Sequence, residues 1–310
     1  MAVTLKISVF PGGANLPLWA GMAQGFFAQH GLTMEPHYTG SSVEQITTLV
    51  NGNCDLGLTG FDNIVAYQEG QGEAKLTREP DLFAFMGGDD AFLRFVVQGD
   101  IGSYADLKGK TLSVDAMTTG FAFVLREMLK RNGVAESDVT FERAGGALQR
   151  FDALKEGRHT GTLLLTPFEL SGARFGLKVL QSAKDVVPRY QGIVGVASRG
   201  WAKAHQAELE GFIAGYLKAL RWLFDKANRE AAVALLTKHI PGMPAALAAG
   251  ACEVFLAEQG GFDPAARMDP EGVKAGLALR SEYGRPQKRL DEPARYQDLS
   301  YYERALEQVT

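Results

Sequence analysis

Leu5-Lys6-Ile7-Ser8-Val9-Phe10-Pro11-Gly12-Gly13 is the stretch that decides the fold class. Apolar and polar residues alternate up to Phe10, the period of a half-buried strand, and Pro-Gly-Gly breaks it. Asn15 and Pro17 then open a helix with Leu18, Met22 and Phe26 on one face beside Trp19, Ala23 and Phe27. Gly31 ends that helix. Strand, breaker and helix make one βα unit.

The unit recurs along the chain. A strand over 33–38 leads to Ser41-x-x-Glu44 and Ser42-x-x-Gln45, two overlapping capping boxes, and a helix buries Val43, Ile46 and Val50. A strand over 55–59 precedes a helix that starts at 60–62. A second series has strands at 110–115, 139–143 and 162–165. Their helices carry Val124, Leu125, Met128 and Leu129, then residues 147–156, then the segment after Pro167. From Trp201 onward the pattern is helical, with Phe212, Tyr216, Leu220 and Leu223 on one face. Two further strand-like stretches, 93–98 and 193–198, stand between the series and are read as chain crossings. Alternating βα units predict an α/β protein with mostly parallel sheets.

Composition excludes several classes. The 310 residues are 46% hydrophobic, and 32 basic against 36 acidic side chains give a net charge of −4, which is not the basic balance of a nucleic-acid binder. Such a chain has apolar surface enough for a core without disulfides or metal. Cys54 and Cys252 are read as separate buried thiols, and the five histidines have no metal-hydrolase spacing. Neither a GxGxxG nor a GxxxxGK[ST] loop occurs in the right context, so no cofactor is expected. The first residues lack a basic segment followed by an apolar run of about 7–15 residues, and no run of about 18 apolar residues is present.

Ligands of parallel sheets bind beyond the carboxyl ends of the strands. The loops there are 11–15, 40–42, 59–62, 115–120, 144–146 and 166–169, each rich in small or hydroxyl residues before a helix N-terminus, where free N–H groups meet ligand oxygens. One pocket lined by these loops is the expectation. Ser41, Ser42, Thr118 and Thr119 donate hydroxyls to a ligand or merely cap helices. Asp62, Asp115 and Glu169 bind a cationic or hydroxylated group or complement a helix dipole. Phe10, Phe61, Phe121 and Phe168 stand beside the loops to stack on a ring, as does Trp19, or they belong to the core. Asn15, Thr59 and Gly146 complete the set. Arg94, Arg143 and Arg174 are the nearest candidates for an anion. No Ser-His-Asp, Cys-His or paired-carboxylate spacing points to catalysis.

Asn15-Leu16-Pro17-Leu18-Trp19-Ala20 followed by Gly25-Phe26-Phe27-Ala28-Gln29-His30-Gly31-Leu32 resembles the opening of the periplasmic substrate-binding proteins of nitrate/sulfonate/thiamine-pyrimidine-type ABC importers. Gly40-Ser41-Ser42 with 51–57, and Asp106-Leu107-Lys108-Gly109-Lys110-Thr111, are similar to further motifs of that family, and 157–167 is similar with Thr160-Gly161 where Asp-Ala is usual. The resemblance implies a two-lobe type 2 periplasmic-binding fold with two crossing strands. Residues 1–95 and 195–310 would form lobe I, and 96–194 lobe II. It implies ligand contacts from Asn15, Ser41, Ser42, Thr59, Asp62, Thr118, Thr119 and Glu169, and hinge closure around a small solute, which acidic Asp62, Asp115 and Glu169 with the phenylalanines point to as polar and ring- or amine-bearing. It also implies a monomer that delivers the solute to permease subunits of an ABC importer. The location implied is periplasmic with the signal peptide removed, or cytoplasmic if the N-terminus is native. The alternative is an enzyme of the same fold, decarboxylase-like or of the pyrimidine branch, although the cysteine-rich iron-binding motif of the pyrimidine-synthesising enzymes is missing.

Overall fold

The computed structural model describes residues 2–258 and 260–309. Ten strands form two sheets. The first takes β1 (Val3–Val9), β2 (Leu32–Tyr38), β3 (Leu56–Gly60), β4 (Leu82–Met86) and β10 (Ile193–Ser198), in the order β2-β1-β3-β10-β4. The second takes β5 (Arg94–Val97), β6 (Thr111–Val114), β7 (Thr140–Arg143), β8 (Gly161–Leu164) and β9 (Lys178–Ser182), in the order β7-β6-β8-β5-β9. The same plan is built twice. β1 pairs in parallel with β2 and β3, and β10 runs antiparallel between β3 and β4. In the second sheet β6 is the parallel centre and β5 the antiparallel insert. Each sheet is therefore mixed with four strands in one direction, an α/β architecture.

The stretches read as chain crossings are in fact these two antiparallel inserts. The chain passes between the sheets just before each of them, at 87–93 and 183–192. There Gly192 donates its N–H to the Asp89 carbonyl at 3.0 Å, and the N–H groups of Ala91 and Ile193 converge on Asp89 Oδ1 at 2.8 and 3.0 Å. β4 and β9 carry no alternation that sets them apart, and the sequence reading passed over both. β4 is buried on both faces, so it reads as a continuous apolar run.

Helices cover both faces of each sheet. They are α1 (Leu16–Ala23), α2 (Ser42–Val50), α3 (Phe61–Gln68), α4 (Gly120–Arg131), α5 (Ala147–Lys155) and α6 (Phe168–Gly172). The C-terminal set is α7 (Arg199–Ala204), α8 (Gln206–Phe224), α9 (Arg229–His239), α10 (Ala245–Phe255), α11 (Pro270–Tyr283) and α12 (Ser300–Glu307). α1 stops two turns short of the expected end, and Gly31, at φ +69°, instead caps a 3₁₀ turn over Ala28–His30. The predicted face of α8 is buried in the first core with Leu16, Leu18 and Trp19. α2, α3 and part of α11 cover the opposite face through Ile46, Ile64, Val273 and Leu277. α11 spans both halves: its C-terminal Leu279 and Tyr283 lie in the core between α4 and the second sheet. Among the described residues no helix is long and apolar enough to cross a membrane. Cys54 and Cys252 are buried and unpaired.

Candidate functional site

The strand ends of the two sheets face each other, and the loops beyond them touch. Gly146 donates its N–H to the Gly40 carbonyl at 2.8 Å. The Ser42 N–H reaches Asp115 Oδ2 at 2.9 Å. At the rim, Arg143 Nε meets Glu73 Oε2 at 2.8 Å, and the other oxygen of Glu73 accepts the Met117 N–H at 2.8 Å. These bonds join two βα loops of the first sheet, and the connection from α3 to β4, to βα loops of the second, so the cleft between the sheets is closed over. Gly146 permits the approach: a Cβ there would stand 2.9 Å from the Phe10 ring. Gly120, at the first position of α4, is tighter still, since a Cβ would meet the Tyr190 hydroxyl at 2.1 Å and Asp62 Cβ at 2.6 Å.

Inside the closed loops lies a cavity of about 870 Å³ counted with its mouth, of which about 80 Å³ is open to the centre of a water molecule. One water needs roughly 10–15 Å³ on that measure, so the room suits a compact molecule of a few heavy atoms. Phe10, Asn15, Thr59 and Asp62 wall it from the first sheet, and Asp115, Thr119, Phe121, Gly146 and Phe168 from the second. Local structure places several of these side chains. The Asn15 amide donates to the carbonyls of Phe10 and Gly12 at 2.7 and 3.1 Å and so fixes the loop before α1. Thr119 caps α4 by accepting the Ala122 N–H at 3.4 Å.

The other expected residues have different tasks. Trp19 is buried beneath α1, its indole N–H on the Tyr38 hydroxyl at 3.2 Å and its ring stacked on His239 at 4.6 Å. Phe61, the first residue of α3, lies in the core edge-on to Tyr296. Ser41 caps α2 through its hydroxyl, accepting the Glu44 N–H at 3.2 Å, and Ser42 turns its N–H and its hydroxyl toward Asp115. The Thr118 carbonyl accepts from Arg280. Glu169 stands behind the wall, bonded to the Thr166 hydroxyl at 2.5 Å, with burial pushing its carboxyl above the usual range. Of the three arginines, Arg143 is on Glu73 at the rim, Arg94 bonds its neighbouring carbonyl of Leu93, and Arg174 lies outside the cavity.

Two charged partners escaped the sequence reading. Arg280 of α11 is fully buried and grips Asp62 through both oxygens, Nε to Oδ1 at 2.6 Å, while the same guanidinium reaches Gln71 at 3.1 Å and stacks 4.7 Å from the centre of Phe123. The charge of Asp62 is thus answered within the protein, so it is not held ready for a cationic ligand. A partner 218 residues downstream leaves no local signal. Arg150 leaves one. It shares the buried face of α5 with Ala147, Phe151 and Leu154, a lone charge on an apolar stripe. It lines the cavity, donates to the carbonyls of Gly145 and Leu163 at 2.8 and 3.1 Å, and faces Asp115.

Burial raises the Asp115 carboxyl above its ordinary value, against the pull of Arg150 and the Ser42 N–H. Burial, with Asp62 nearby, raises the Tyr190 hydroxyl well above its own. Asp115 Oδ1 and the Tyr190 hydroxyl are buried polar atoms without a hydrogen-bond partner. Both residues line the cavity, so two unpaired polar atoms stand in its wall, within a small rearrangement of a hydrogen-bonding molecule. Among the described residues no three His, Cys, Asp or Glu side chains are grouped to hold a metal ion.

Solved structures share this fold. The periplasmic nitrate-binding protein NrtA from Synechocystis PCC 6803 aligns with a TM-score of 0.81 at 12% identity, covering 99% of this chain and 89% of its own. The ligand-binding component of an ABC-type import system from Staphylococcus aureus, with zinc bound, gives 0.77 at 16%, covering 97% and 98%. The alkanesulfonate-binding protein SsuA from Xanthomonas axonopodis pv. citri, bound to MOPS, gives 0.72 at 18%, covering 94% and 95%. At such identities the likeness establishes the periplasmic-binding-protein fold. No curated protein matches in sequence. Residues 14–230, well over half of the chain and including every loop of the cavity but the start of the first, match the family described as NMT1/THI5 like, and the chain belongs to that family.

Proposed function

We propose that this protein is the solute-binding component of an ABC importer, exported to act outside the cytoplasmic membrane, and that it carries a small ring-bearing molecule with one hydrogen-bonding edge. The observation that carries the reading is the composition of the inner cavity. Phe10, Phe121, Phe168 and Tyr190 surround two buried polar atoms, Asp115 Oδ1 and the Tyr190 hydroxyl, that have no protein partner. Aromatic walls favour a flat apolar body, and the unpaired polar atoms in the wall reward a molecule that bonds both. The lobes are taken as the two sheets with their helices, within two residues of the 1–95 with 195–310 and 96–194 division, moving about the 87–93 and 183–192 crossings.

Closure then follows from differential affinity. A solute resting on Phe10 and Thr59 alone gains less than one that also meets Asp115, Phe121 and Phe168, so its binding shifts the population toward the closed form. The closed surface is what permease subunits would recognise. The enzyme alternative needs a nucleophile beside a base. The titratable groups that line the cavity are Asp62, Asp115, Arg150 and Tyr190, and they supply no such pair.

Mass spectrometry of small molecules released by denaturing freshly purified protein tests the reading. A ring compound present near one equivalent, and rebound unchanged by the refolded protein, is the expected result. A compound that the protein converts to a product contradicts it.

A further inference from the structure

Beyond Phe168, Pro11 and Gly12, which form a shared wall, the cleft opens into a second chamber of about 410 Å³ on the measure that gives the inner cavity about 80 Å³. Both lobes build it. Trp19, Tyr38 and His239 stand on one side, and Phe151, Lys155 and Phe175 on the other. Tyr38 and Phe175 are 46% and 51% exposed, two of the few large apolar side chains open to solvent in the described residues, and both face this chamber. Its charges are lopsided. Lys155 lies 4.9 and 5.2 Å from the ring centres of Phe151 and Phe175 and pairs with the chamber's one acid, Asp152, at 2.8 Å. Arg174 has no ion-pair partner among the described residues. Burial and the nearby Lys238 lower the pKa of His239, so its ring is a neutral stacking surface at pH 7.

We propose that this outer chamber is a binding compartment in its own right for a flat aromatic group that carries an anion. The rings of Tyr38 and Phe175 take the aromatic face, and the Arg174 guanidinium, left over once Lys155 has met Asp152, takes the charge. The compartment stands independently of what the inner cavity holds. A ring in the outer chamber needs no passage past Phe168.

Titration of the full chain with 1-anilinonaphthalene-8-sulfonate, followed by the probe's fluorescence, tests this. One saturable site is expected, weakened at least tenfold by Arg174→Glu, restored by Arg174→Lys, and weakened by Tyr38→Ala. Both positions are at the surface and leave the cores intact. Ala14→Leu, which narrows the inner cavity, should leave the titration unchanged, so an inner cavity that binds nothing does not alter the outcome. Absence of a saturable site, indifference to Arg174→Glu, or loss of binding in Ala14→Leu would each overturn the proposal.

Discussion

The Ser42 N–H and Asp115 Oδ2, 2.9 Å apart, tie the first turn of a helix on one sheet to a strand end on the other. Asp115 lines the cavity and is held on its own side by the charge of Arg150, and its second oxygen is buried without a partner. One carboxylate therefore serves both the closed contact and the open ligand position. Loss of the acceptor in Asp115→Ala leaves the Ser42 N–H unpaired in the closed form, at a cost of about 1–3 kcal/mol. The variant should populate the open form, seen as a larger radius of gyration, and bind its solute roughly tenfold or more weakly. Asp115→Asn, which keeps an acceptor oxygen, should stay closer to the wild type.

Asp62 and Arg280 form a buried bidentate pair beside the cavity. Removing the carboxylate strands a buried guanidinium, so Asp62→Ala should lower stability by about 3–5 kcal/mol, read from denaturant or thermal unfolding. The double variant Asp62→Ala/Arg280→Met should recover part of that loss. An Asp62→Ala protein as stable as the wild type would show that the pair is not formed in solution.

Asp89 is the carboxyl that stitches the two crossings, and burial pushes it up to about 7. The charged groups facing it are Asp90 and Lys184, which pair with each other, and the nearby Tyr216 hydroxyl is neutral, its pKa raised by burial. Between the unfolded value of 3.8 and about 7 the folded protein keeps a proton that the unfolded chain has released. This contribution is full below about pH 4, falls as pH rises, and is gone above about 7, a span of up to about 4 kcal/mol. Asp89→Asn, which keeps the acceptor and removes the titration, should flatten that slope and melt higher than the wild type at pH 8. An unchanged pH profile would show that Asp89 does not titrate in this range.

Gly120 has no room for a methyl group against Tyr190 and Asp62. Gly120→Ala should cost about 1–3 kcal/mol in the closed form through overpacking. The loss should appear in ligand affinity and compactness as well as in the melting of ligand-free protein, because the clash meets both Tyr190 of the crossing and, across the cleft, Asp62 of α3. A loss confined to melting would place the strain inside one lobe instead.

Much of this site is readable in one dimension because loops before helices announce themselves. Pro11-Gly12-Gly13, the Ser41 cap and the Thr119 cap are local patterns, and each lies where the alternation of strand and helix puts it. What the sequence hides is direction and distance. Phe61 and Phe168 each stand at the start of a helix after a strand, yet the first turns into the core and the second into the cavity. Tyr190 comes from a crossing segment without periodicity. Arg280 comes from a helix whose polar and apolar faces are hard to tell apart, since the helix is buried against both halves. The antiparallel inserts β5 and β10 look like the parallel strands around them, and only pairing reveals their direction.

The central claim is that a small solute in the inner cavity holds the two lobes together. Small-angle scattering on protein stripped by unfolding and refolding, then titrated with the molecule recovered from the native preparation, tests it most directly. The account predicts a saturable fall in the radius of gyration, coupled to a rise in melting temperature and absent in Asp115→Ala at the same concentration. A radius of gyration that stays constant while the solute binds stoichiometrically would contradict it.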